Sequence, residues 1–105
     1  MKITKLSMLL SIGLVAVSVT AHAGPRVREI NARERHQQGR IAQGIDKGEL
    51  TADEVGRLER REAEIQFQER RYRLQHGGHL TKAEQARLNR ELNLLSRRIH
   101  SERHD

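Results

Sequence analysis

From residue 24 onward the apolar positions recur at intervals of three, four and seven, the period of one helix face rather than of a half-buried strand. Three helices follow from that spacing. Val27 and Ile30, then Ile41 and Ile45, share a face over residues 26–43, although Glu34, Gln37 and Gln38 make its middle polar and Gly39 weakens it. Val55, Leu58, Ile65 and Tyr72 mark a second helix over residues 51–75, with Glu62 and Glu69 at the seam positions between them. Such interruptions argue against a tight coiled coil built from this helix alone. The third, residues 81–103, has the longest stripe: Leu88, Leu92, Leu95 and Ile99, with Leu94 beside it. Opposite charges four residues apart (Glu29–Arg33, Arg60–Glu64, Glu69–Arg73, Arg87–Glu91 and Arg98–Glu102) belong on outer faces. Short links containing glycine make neighbouring helices antiparallel. The expected fold class is all-α: an antiparallel hairpin of two long capped helices, with a looser N-terminal helix beside it.

The second and third helices begin with the same device. Gly48-Glu49-Leu50-Thr51-Ala52-Asp53-Glu54 is matched thirty residues later by Gly78-His79-Leu80-Thr81-Lys82-Ala83-Glu84. In each copy the threonine hydroxyl can accept from a free amide of the first turn, and the glutamate three residues on can reach back to the threonine amide. Leu50 and Val55 add a hydrophobic staple to the first copy, whereas Gln85 takes the apolar partner's place in the second. The motif also looks like the second half of an EF-hand loop. Aligning either glycine puts Gln43, Ile45 and Lys47, or Arg73, Gln75 and Gly77, where Asp or Asn ligands belong, so calcium is excluded. Thr51, Glu54, Thr81 and Glu84 are therefore helix caps.

Residues 1–23 have the form of a signal peptide. Lys2 and Lys5 precede a short apolar run, and Ala21-His22-Ala23 is a small-x-small cleavage signal. Cleavage is expected after Ala23, placing one small α-helical domain, residues 24–105, in the periplasm. That domain has 18 basic and 14 acidic side chains, a net charge of +4, and no Cys, so no disulfide can staple it. Leu, Ile, Val and Phe together number 16 in it, near the lower limit for a stable core. The stripe Leu88, Leu92, Leu95 and Ile99 then exceeds the apolar surface available to cover it. It is the expected interaction face for a protein partner or a second copy.

Chemistry-bearing residues are few. His100 and His104 lie four apart on one helix face, a spacing suited to weak Zn²⁺, Cu²⁺ or Ni²⁺ binding. His76 and His79 flank the other end of the hairpin and cannot join them. Sixteen Arg against two Lys in the domain favour two-point contacts to carboxylate or phosphate, as on an anionic envelope surface. Nucleic acid is a poor fit for an exported chain with a single Phe, a single Tyr and no Trp for base stacking. No Cys nucleophile, G-x-S-x-G elbow, H-E-x-x-H or glycine-rich phosphate loop is present.

With R-I-A-Q-G at Arg40 to Gly44 and two L-T-x-x-E-x-x-R-L units, the chain resembles a group of small, uncharacterised exported helical proteins of Gram-negative bacteria. More distantly the paired Leu-Thr-x-x starts are similar to the L-T-x-x-Q motifs of the Spy/CpxP periplasmic family, with Glu54 and Glu84 where that family has Gln. That resemblance implies an all-helical, dimeric, ATP-independent chaperone or stress regulator. The expectation is thus a non-enzymatic periplasmic binding protein without a cofactor. The alternative is a weak transition-metal binder using His100 and His104.

Overall fold

The structure is a computed structural model, and it describes residues 24–104. The expected signal peptide lies outside the described residues. Pro25 opens the first helix, where its missing N–H would have had no intrahelical partner, and α1 runs over Pro25–Asp46. Gly39 does not interrupt it; a Cβ there would meet nothing within 4 Å, so the glycine costs only propensity. The helix ends where Gly48 turns left-handed at φ 70°, and the Glu49 amide closes back on the Gly44 carbonyl at 2.8 Å. Gly44 itself is required by packing. A Cβ there would lie 2.6 Å from Leu50 Cδ1 and 3.2 Å from Arg103 Cγ.

α2 spans Ala52–Gln75 and α3 spans Lys82–His104. Both capping boxes form. The Glu54 amide donates to Thr51 Oγ1 at 3.2 Å and the Thr51 amide to Glu54 Oε1 at 2.8 Å. The second copy repeats this at 3.1 Å and 2.9 Å with Thr81 and Glu84. Between them Gly77 and Gly78 take φ of 62° and 91°, conformations other residues avoid, and reverse the chain. Leu50 and Val55 both pack against the core, as the staple requires, while Leu80 is buried outright.

The three helices form an all-α bundle in which α1 and α2 each pack along α3 and touch one another only sparsely. α1 is not loose. Arg33 donates to the side-chain oxygens of Asn89 and Asn93 at 2.7 Å and 2.6 Å, and Arg40 donates to Ser96 one turn further on. Both pairs advance in the same direction, so α1 runs parallel to α3 and antiparallel to α2. The predicted hairpin is present, and its supposed satellite is a third wall.

That wall changes the role of the leucine stripe. Leu88, Leu92, Leu95 and Ile99 are fully covered, packed with Val27, Ile30 and Ile41 of α1 and Leu58 and Ile65 of α2. They are the core and not a free interaction face. Each such side chain contributes about 1.5–3 kcal/mol relative to exposure. The expected ion pair Glu69–Arg73 is also displaced from the outside, because Glu69 turns inward.

The two capping boxes have the same geometry, so they should carry the same weight. Thr51→Ala and Thr81→Ala are each expected to lower unfolding free energy by about 1 kcal/mol in urea titrations. A change in only one of the two would show that the repeat is a likeness of letters alone.

Candidate functional site

The interior holds a polar seam. Along α1 the buried positions are Val27, Ile30, Glu34, Gln37, Ile41 and Gly44, an unbroken alternation of three and four. Along α2 they are Leu58, Glu62, Ile65 and Glu69. Glu34, Glu62 and Glu69 are thus seam residues of the two helices that face each other across α3, and Glu62 retains 1% of its surface. Gln37 donates to the Leu92 carbonyl at 2.7 Å, but its Oε1 has no protein partner. Both oxygens of Glu62 and one each of Glu34 and Glu69 are likewise buried without a hydrogen bond. Close apolar packing of α1 on α2 is impossible across such groups, which accounts for their sparse contact.

Burial disfavours the charged form of each acid. Burial, followed by the charges of Glu69 and Glu62, pushes the Glu34 carboxyl up to about 8 against the partial relief of Arg70. Burial and the nearby Glu59 push Glu62 to about 7. Glu69 is raised by burial, with Arg73 and Arg70 pulling the other way. On the surface the sign reverses. The Arg103 guanidinium donates to Glu49 at 2.6 Å and holds that carboxyl below its usual range. Some desolvation lifts Glu84, but hydrogen bonds from Thr81 and the proximity of His76, 2.9 Å away, outweigh it and leave it lowered.

The exterior is basic, and the seam helps make it so. With three carboxylates inside, no more than 11 of the 14 in residues 24–105 are left to balance 18 basic side chains. One basic part lies between the outer sides of α2 and α3. A groove of about 380 Å³ there has Leu94 in its lining, with Arg57, Arg60, Arg61 and Arg98 around it and Glu64 at one side. Arg61 reaches Glu64 at 3.9 Å, and Arg57 reaches Glu102 only at 4.0 Å. Arg60 and Arg98 form no ion pair among the described residues, so the predicted pairs Arg60–Glu64 and Arg98–Glu102 do not form. Arg87 instead donates to the Tyr72 hydroxyl. Phe67 and Leu74 stand on the outermost stripe of α2, seven residues apart, with Arg60 seven before Phe67.

The predicted metal pair sits at the end of α3. The His100 and His104 rings stack with centroids 4.2 Å apart, and His104 Nδ1 meets the His100 carbonyl at 2.7 Å. No cluster of three or more His, Cys, Asp or Glu suited to a metal occurs among the described residues. Two imidazoles alone give a weak site. Thr51, Glu54, Thr81 and Glu84 serve as caps, as expected.

Comparison with protein-family models, curated proteins and solved structures gives no match. The site therefore rests on its own geometry. Two parts of it escaped the pattern of apolar spacing. Glu34 and Gln37 read as a polar gap, although their three–four spacing with Ile30 and Ile41 marks them as seam residues. Phe67 and Leu74 follow no core periodicity, and that mismatch is itself the sign of an outer stripe.

The seam makes stability depend on pH in a definite direction. The folded values of Glu34 and Glu62 lie above the 4.5 of the unfolded chain, so the folded state binds more protons between those limits. Their contribution is complete below 4.5 and is lost as the pH rises through about 7 and 8. Glu49 and Glu84 act oppositely, losing theirs as the pH falls through their lowered values. Stability should peak in mild acid and fall toward pH 8 by up to about 1.4 kcal/mol per pH unit for each proton released. Glu62→Leu should flatten that slope and stabilise the protein at pH 8 by about 1–3 kcal/mol. Urea midpoints that are equal at pH 5 and pH 8 would contradict the seam.

Proposed function

We propose that the chain, once exported, is a non-enzymatic periplasmic binding protein that recognises an anionic partner through the arginines of its α2–α3 exterior. The observation that carries this reading is the contrast between the inner stripe of α3 and the groove on the outer sides of α2 and α3. The leucine stripe is consumed by the core, whereas Arg60 and Arg98 project beside it without ion-pair partners among the described residues. Guanidinium forks of this kind suit carboxylate and phosphate oxygens. Chaperone-like capture of apolar clients through Leu88, Leu92, Leu95 and Ile99 would require α1 to come away first. Of the buried acids, Glu34 borders an open groove with Asn31, Arg35, Gln38 and Gln66.

Retention of the mature protein on immobilised polyphosphate is the test. It should be retained at low ionic strength and released by salt, because exposed charges are screened within about 10 Å at 0.1 M. Arg60→Glu/Arg98→Glu should elute at distinctly lower salt. Elution unchanged by that double substitution would remove the groove from the reading.

The placement of His100 and His104 one turn apart at the end of α3 leaves a second reading, weak transition-metal binding. Calorimetry with Zn²⁺, Cu²⁺ and Ni²⁺ should show weak uptake that His100→Ala/His104→Ala abolishes. Uptake unaffected by the double variant would end that reading.

A further inference from the structure

We propose that the α2–α3 face docks on an anionic lipid bilayer, with its arginines at the phosphates and Phe67, Leu74 and Leu94 entering the interface. This inference rests on the anionic-partner reading and adds the identity of the partner. Charge alone would accept any polyanion. The distinguishing observation is that the groove and the outer stripe of α2 beside it carry large apolar side chains that the fold leaves in water. Leu74 is 85% exposed, Phe67 56% and Leu94 52%, so three of the four exposed large apolar groups lie on the groove or on the outer stripe of α2.

Their arrangement is orderly. Phe67 and Leu74 occupy successive positions of one α2 stripe that begins at Arg60. The Arg57–Glu102 and Arg87–Tyr72 contacts set a register in which Phe67 comes level with the Leu92–Leu94 turn of α3. Leu94 lines the basic groove, while Phe67 and Leu74 stand beside it on the outermost stripe of α2, with Leu74 toward the hairpin turn. Arg70 and Arg73 flank Leu74, and Arg71 places its guanidinium 6.0 Å from the Phe67 ring centre. Arginine stems can lie along apolar surface while their heads stay with phosphate oxygens.

A soluble polyanion would satisfy these arginines and leave Phe67 and Leu74 in water. A bilayer interface takes both kinds of group at once, which is how basic amphipathic helices lie on anionic membranes. None of the described helices is long and apolar enough to cross a membrane, so the contact is with its surface.

The chain contains no Trp, so Phe67→Trp introduces a single indole reporter at an exposed position. With phosphatidylglycerol vesicles at low salt, this variant should sediment and shift its emission to the blue. Phosphatidylcholine vesicles should produce neither effect. Adding Arg60→Glu/Arg98→Glu should raise the lipid needed for half-binding by about tenfold or more. Adding Leu74→Ser/Leu94→Ser should preserve salt-sensitive adsorption but lose the blue shift. All these positions are exposed, and circular dichroism checks that each variant stays helical. Retention on polyphosphate with no binding to phosphatidylglycerol vesicles would overturn the membrane partner and leave the anionic reading intact. Vesicle binding without an emission shift would overturn insertion, and failure on both supports would overturn both readings.

Discussion

The fold depends on covering one strip of α3. Leu88, Leu92, Leu95 and Ile99 need apolar neighbours on two sides, and a chain this poor in large apolar residues can supply them only by using both other helices. Each of those helices is half polar along its inner edge. Val27, Ile30 and Ile41 of α1, with Leu58 and Ile65 of α2, meet the strip, while Glu34, Gln37, Glu62 and Glu69 fill the places between. The outcome is a bundle with two good interfaces and one poor one. The poor one is where ionisable groups were taken out of water without partners.

Much of this was legible in the residues. The helix starts were the clearest, because a capping box is a local device and both copies contain every atom it needs. The glycines at 48, 77 and 78 marked reversals for an equally local reason. The docking of α1 was not legible in this way. Its inner face reads as interrupted, since polarity along a sequence does not distinguish a solvated glutamate from one held inside by its neighbours. Nor did charge spacing predict the ion pairs. Arg33 prefers Asn89 and Asn93 across the bundle to Glu29 on its own helix, and Glu29 accepts instead from Gln85 and Asn89. At a helix surface the four-residue partner is worth only about 0.2–0.5 kcal/mol, so any well-placed group on a neighbouring helix displaces it.

Interior and exterior are linked by charge balance. Withdrawing Glu34, Glu62 and Glu69 from the surface leaves the arginines of α2 and α3 under-compensated, and protonation of those acids adds to the excess. The mild acid that steadies the core therefore also makes the protein more positive than it is at pH 8.

The contacts between α1 and α3 have a different consequence. Arg33 and Arg40 donate to amide, hydroxyl and carbonyl oxygens rather than to carboxylates. A cation held by neutral acceptors is fixed by direction and distance, and dissolved ions compete with it far less than with an opposite charge. The grip of α1 on α3 is thereby insulated from ionic strength, while the outward-facing arginines are fully subject to it. On the proposed reading, an anionic surface would be released as salt rises without loosening the bundle that presents the arginines.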